Sequence, residues 1–277
     1  MNITERNVNN YSILSVKEWL EQGFEHGFMN GELDINDGNG RLWPNVYPGS
    51  DIKLLKQVHG IDIVNVTGKE FIYDNNSPSE ADGWFIDLQN APHNTAFGIK
   101  TADCSPVIIF INNLKIAYLL HCGWRSAVDN LFPKALMEIY NKYFAGNTAN
   151  INASDLKNLR GLFQKSPELA KSIEICVGPS AKSCHYEVQS DVTEPAVQNF
   201  LALGGSEDML GSAIVQRNGK TYFDAQELLR QQSLLLGIPA ENFTAINICT
   251  INDNSYFSFR RQGPTSTPRQ ATFIKVS

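Results

Sequence analysis

TADCSPVIIFINNLKIAYLLHCGWR, residues 101–125, holds two apolar runs separated by a pair of asparagines. VIIFI (107–111) and KIAYLL (115–120) have the length and β-branched content of buried strands. Asn112 and Asn113 suit a tight turn, because asparagine tolerates left-handed backbone. The two runs therefore read as an antiparallel hairpin. A turn centred on the asparagines places Cys104 directly opposite His121. Opposed residues of an antiparallel pair share a face, with Cβ atoms about 4.5–5.5 Å apart.

A thiolate and an imidazole at that spacing suit one shared metal ion or a nucleophile–base pair. A third donor stands in KQVHG (56–60), where His59 adjoins a glycine that permits close approach. Two histidines and a cysteine make three zinc-type ligands and leave a fourth position for water or substrate. Taken singly, each residue type more often serves structure than ligation. The hairpin pairing is what singles out Cys104 and His121. After them, in HCGWRSA (121–127), Gly123 lets the chain leave the strand sharply and a helix begins. Its free N–H groups and the Arg125 fork suit a phosphate or carboxylate.

Other candidates carry weaker signals. Arg260, Arg261 and Arg269 either extend an anion pocket or sit on the solvated surface. Asp82 and Gln57, with Asp103, suit the role of orienting ligand histidines. Asp103 and Glu187 are also candidates for proton transfer, although a Glu at a helix start has a simpler capping role. Cys184 and His185 are neighbours, of which only one faces a given site if the segment is extended. His26 and His93 read as ordinary surface or core residues.

The chain has 277 residues, 42% hydrophobic and 19% charged, which allows a sizeable core. A net charge of −6 without Lys/Arg runs argues against nucleic-acid binding. No basic start leads into an apolar run at the N-terminus, and no stretch approaches the roughly 18 apolar residues of a membrane span. The five cysteines form an odd set without a C-x-x-C pair, which suggests reduced thiols in the cytoplasm.

Further strands are expected at 61–66, 173–177, 243–248 and 271–276. Helical spacing runs from Arg125 to Phe144, with a kink or a new start at Pro133. Asp224 and Glu227 suit a capping box, and Gly237 a C-cap. Residues 29–50 are rich in Gly, Asn and Asp and read as an exposed loop; 145–171 read as an inserted loop with a short helix. Strands and helices mix without strict alternation, so mixed β-sheets within one α/β domain, residues 1–277, are expected.

QVHG (57–60), EADGW (80–84), TADCSPV (101–107), HCGWR (121–125), VGPSAKSCHYEV (177–188), FDAQELL (223–229) and Cys249-Thr250 with FSFRR (257–261) follow one another in order. Together they resemble the laccase-domain family, also called multicopper polyphenol oxidoreductases and, more recently, purine nucleoside phosphorylases. The resemblance runs from about residue 24 to the end. It implies mixed sheets between helical layers (α-β-β-α), a fold also similar to the cytotoxic necrotizing factor deamidases. It implies His59, Cys104 and His121 as zinc ligands. It implies phosphorolysis of adenosine, inosine, guanosine and methylthioadenosine by inorganic phosphate, with adenosine deamination and, in some relatives, peptidoglycan-precursor editing also attributed. Several positions depart from the pattern. Cys122 and Ser126 replace Ala and Gly in H-A-G-W-R-G, Met29-Asn30 replaces Thr-Arg, and Thr267-Pro268-Arg269 replaces T-G-R.

Four function classes follow, one of them a non-enzymatic binding protein that keeps the site for stability. The first is a zinc nucleoside phosphorylase or deaminase acting on a small nucleoside. The second is a cysteine hydrolase or amidase using Cys104 and His121. A copper polyphenol oxidase is the third, and the least favoured: multicopper clusters take many imidazoles, commonly in H-x-H pairs, and this chain has five histidines and no such pair. The oligomeric state is not set by these features.

Overall fold

In the computed structural model, which describes residues 1–145, 156, 159–264 and 268–277, the opening stretch is a hairpin of Ser105–Ile111 and Ile116–Cys122. Its register differs from expectation. Pro106 pairs with His121 and Val107 with Leu120. The connection is longer than two residues, because Asn112–Leu114 form a 3-10 turn and Lys115 takes left-handed backbone, φ 52°. The shift in pairing is even, so the faces survive it. Cys104 and His121 lie on one side as diagonal neighbours, and the position opposite Cys104 belongs to Gly123.

Both strands are buried throughout, and apolar but for Ser105 and His121, because both faces of their sheet are covered. Val107, Ile109, Leu120 and Cys122 pack under the helices. Ile108, Phe110, Ala117 and Leu119 pack against a second sheet. The hairpin's sheet has six strands in the order Phe243–Ala245, Glu174–Val177, Ser105–Ile111, Ile116–Cys122, Gly83–Asp87, Ile63–Val66. The second sheet also has six, ordered Ile3–Val8, Tyr11–Val16, Glu25–Met29, Gln270–Val276, Thr95–Thr101, Asp51–Leu54. Each mixes parallel and antiparallel neighbours. Glu187–Val188, Lys220–Phe223 and Ile214–Arg217 make a small third sheet.

The expected α-β-β-α layering holds on one side only. Helices Leu131–Tyr140, Ser190–Ala202 and Ala225–Leu236 cover the hairpin's sheet. The outer face of the second sheet is covered instead by the segment read as an exposed loop. Leu33, Ile35, Trp43 and Val46 of that segment are fully or nearly buried against Ile52, Leu54 and Phe273. Its Gly, Asn and Asp residues supply turns while its apolar residues supply the cover.

The helical run breaks before Pro133 rather than at it. Trp124–Val128 ends, Asn130 turns left-handed at φ 68°, and Leu131–Tyr140 begins. Pro133 then occupies the first turn, where a missing N–H costs nothing. Asp224 caps Ala225–Leu236 by accepting from the Glu227 N–H at 3.3 Å, and Gly237 closes it at φ 96°. The Glu227 carboxylate pairs with Arg230 at 3.5 Å instead of completing the box. Of the expected insertion, 146–155, 157 and 158 lie outside the described residues; Leu162–Lys165 is a 3-10 turn and Pro167–Ser172 a short helix. No helix among the described residues is long and apolar enough to cross a membrane.

Candidate metal centre

Asp82 organises the centre. It is fully buried, and its carboxylate accepts N–H bonds from Val58 (3.1 Å), His59 (3.0 Å) and Gly60 (2.7 Å). It also lies 2.8 Å from His121 Nδ1, which donates to it. One carboxylate thus fixes the loop carrying His59 and the tautomer of His121, whose Nε2 is left with a free lone pair. Burial would raise the Asp82 carboxyl, but His121 and the Gly60 and Val58 N–H groups hold it below its ordinary value.

His59 Nε2 stands 3.9 Å from Cys104 Sγ, and the donor atoms of His59, Cys104 and His121 all lie within 4.8 Å of one another. A tetrahedral zinc ion with Zn–S of about 2.3 Å and Zn–N of about 2.0 Å needs N···S edges of about 3.6 Å. The set therefore fits such an ion with small side-chain adjustments. Burial pushes the Cys104 thiol up, yet the His121 and His59 imidazoles outweigh it and bring it down to about 6. Burial pushes His121 down, yet the Cys104 sulfur and Asp82 raise it to about 9. Cys104 and His121 thus each favour the charged form of the other.

Two backbone features make room for this arrangement. His59 itself is left-handed at φ 61°, so the unusual conformation sits on the histidine and not on Gly60. A Cβ on Gly123 would fall 2.8 Å from His59 Cδ2 and 3.0 Å from Cys104 Sγ, so Gly123 is the glycine that allows close approach. The departures from the family pattern are accommodated. Cys122 points into the helix-side core, and Ser126 Oγ donates to the His121 carbonyl at 2.8 Å.

Asp103 takes left-handed backbone at φ 86°. It accepts from Thr250 Oγ1 (2.7 Å), Ser258 Oγ (3.0 Å) and the Arg260 N–H (2.7 Å). These three contacts fasten the 250–262 segment beside the centre, and Asp103 itself lines the cleft. Glu187 does not line the cleft, and its carboxylate pairs with Lys220 at 2.7 Å. Arg261 does not reach the cleft either. Its guanidinium donates to the Thr250, Ile251 and Tyr256 carbonyls and braces a loop. Gln57 lines the cleft and clasps both backbone groups of Lys100.

His59, Cys104 and His121 open onto a cleft of about 570 Å³. Arg125, Arg260 and Arg269 all line it, each over an aromatic ring: Arg125 lies 4.2 Å from the Trp124 centroid, Arg260 4.6 Å from Tyr186, Arg269 5.9 Å from Phe259. Lys56 and Lys100 line the same cleft and escaped the sequence reading. Burial, then the neighbouring Arg269, lower the Lys100 ammonium below its ordinary value. Thr267 lies outside the described residues, so only Pro268 and Arg269 of that element are placed. His26 is core and His93 is surface, bonded to the Ser277 carbonyl. Cys184 and His185 both approach Cys249, because residues 182–186 form a turn and not an extended segment.

The family model described as multi-copper polyphenol oxidoreductase laccase matches residues 43–277. A purine nucleoside phosphorylase of Clostridium acetobutylicum is 26% identical over 285 residues, covering 99% of each chain. The Escherichia coli purine nucleoside phosphorylase YfiH is 26% identical over 221 residues, 79% of this chain and 72% of that one. In structure, the Bacillus licheniformis hypothetical protein YfiH superposes with a TM-score of 0.72 at 19% identity, covering 96% of both chains.

Proposed function

This chain belongs to the multi-copper polyphenol oxidoreductase laccase family, and from that premise we propose that it is a zinc-dependent purine nucleoside phosphorylase of the cytoplasm. The observation that carries the reading is the cleft itself, where a His–Cys–His donor set meets three arginines and three aromatic rings. Relatives named purine nucleoside phosphorylase support it.

In phosphorolysis a phosphate oxygen attacks C1′ of the ribose, the C1′–N9 bond breaks, and its electron pair leaves with the purine, which takes up a proton. Arg125, Arg260 and Arg269 supply the cationic forks that hold phosphate near the sugar. Trp124, Tyr186 and Phe259 offer faces on which a purine stacks. His59, Cys104 and His121 would hold zinc, with Asp82 fixing both histidines. When bound, zinc supplies Lewis acidity and a water of lowered pKa. Adenosine, inosine, guanosine and methylthioadenosine are the proposed substrates, with adenosine deamination as a second activity of the same cleft. The test is to incubate zinc-loaded protein with each nucleoside, with and without phosphate, and to separate the products. Free base formed only with phosphate is expected, and inosine from adenosine if deamination operates. No product from any nucleoside would reject the reading.

One observation favours a second reading. The thiol of Cys104, lowered to about 6 beside His121, which Asp82 holds, also makes a nucleophile–base–carboxylate line for a cysteine amidase acting on peptidoglycan precursors. Chelation separates the two: an amidase survives it, the zinc enzyme does not. Copper oxidase chemistry is the least supported, since the centre brings together only two imidazoles with one thiol.

A further inference from the structure

Cys184, His185 and Cys249 form a second donor group that shares no residue with the first. Neighbouring side chains diverge on extended backbone, but here the His185 and Tyr186 N–H groups both donate to the Lys182 carbonyl, at 3.0 and 2.8 Å. That turn presents Cys184 and His185 together. Cys249 arrives from a distant part of the chain, held by its bridge to Ser180 and by the Thr250 N–H donating to the Ser180 carbonyl at 3.1 Å.

His185 Nδ1 lies 3.2 Å from Cys184 Sγ and 3.9 Å from Cys249 Sγ, and all three donor atoms fall within 4.8 Å of one another. A tetrahedral zinc ion needs N···S edges of about 3.6 Å and an S···S edge of about 3.8 Å. The two N···S separations bracket the required edge. Two sulfurs and an imidazole also select soft or borderline ions over magnesium and calcium. Cys184 is exposed and Cys249 half-buried, which leaves a path for an ion to enter.

We propose that Cys184, His185 and Cys249 bind a zinc-class divalent ion, with water completing the fourth position. On binding, the two thiols release their protons to solvent and His185 ligates through Nδ1, keeping its proton on Nε2. The ion ties the 182–186 turn to residues 249–250. Tyr186 lines the cleft under Arg260, and Thr250 holds the Asp103 carboxylate. The ion thus sits behind the cleft wall and stiffens it without touching substrate.

Cobalt(II) is the probe. The His59→Ala/Cys104→Ala variant removes the first group, and it should still bind about one equivalent of cobalt with a thiolate-to-cobalt charge-transfer band in the near ultraviolet. Adding Cys184→Ser and Cys249→Ser should abolish that band. Loss of cobalt binding in the first variant while it remains folded by circular dichroism would overturn the proposal, as would a band that survives the added serines. A second measurement uses the unmodified chain. Zinc should slow alkylation of Cys184 and Cys249 by at least about tenfold relative to zinc-free protein, read by peptide mass spectrometry. Equal labelling, or a Cys184–Cys249 disulfide in place of metal protection, would count against the site.

Discussion

At the scale of single residues, the centre rests on a carboxylate and a missing side chain. Asp82 receives three backbone N–H bonds and the His121 imidazole. Asp82→Asn keeps the shape but removes the charge that fixes His121, so zinc affinity is expected to fall about 10- to 100-fold in a competitive chelator titration. Gly123→Ala places a methyl group 2.8 Å from the His59 ring. It should weaken zinc binding by at least about tenfold while costing about 1–3 kcal/mol in a denaturant titration. The pair Cys104 and His121 was legible because strand faces alternate with period two, so even a register wrong by two residues keeps them together. The role of Asp103 was not legible. Its partners Thr250 and Arg260 lie 147 and 157 residues along the chain, a separation that no local pattern encodes.

At the scale of elements, the Asp103 carboxylate bonds the segment 250–262 at three points, and the segment carries Phe259 and Arg260 into the cleft. Asp103→Ala unpairs three donors and loosens that wall. The expected effect is a rise of about tenfold in KM for nucleoside or phosphate with a smaller change in kcat, read from steady-state kinetics. Trp43 makes the complementary case. It is fully buried in the segment that composition marks as an open loop, stacked beside Tyr47 and edge-on to Phe273. Trp43→Ala should cost about 3–5 kcal/mol in equilibrium unfolding. In the hairpin's sheet, 107–111, 115–120 and 173–177 were readable from their apolar runs, whereas Gly83–Asp87 was not expected. The N-terminal strands were not, because Ile3–Val8 and Tyr11–Val16 mix polar and apolar residues at a sheet edge and turn through Asn9 and Asn10.

At the scale of the whole molecule, the two sheets close over a shared apolar layer in which His26 is buried against Trp19 and Phe24. Burial lowers its pKa to about 4, and its Nε2 accepts the Val16 N–H. The unfolded chain takes up this proton near pH 6.5 and the folded chain only near 4, so stability is complete above pH 6.5 and falls as pH drops toward 4. The loss should reach about 3 kcal/mol in denaturant titrations across that window, and the slope should flatten in His26→Gln. The same two sheets deliver His59 from one loop and Cys104 with His121 from the hairpin, so the fold and the centre stand together. The most direct test is phosphate-dependent release of hypoxanthine from inosine by the zinc-loaded chain, set against Cys104→Ala treated identically. Release that requires phosphate, and falls at least about 100-fold in the variant, is expected. Release at equal rates in both proteins, or none in either, would contradict a phosphorylase built around the His59–Cys104–His121 centre.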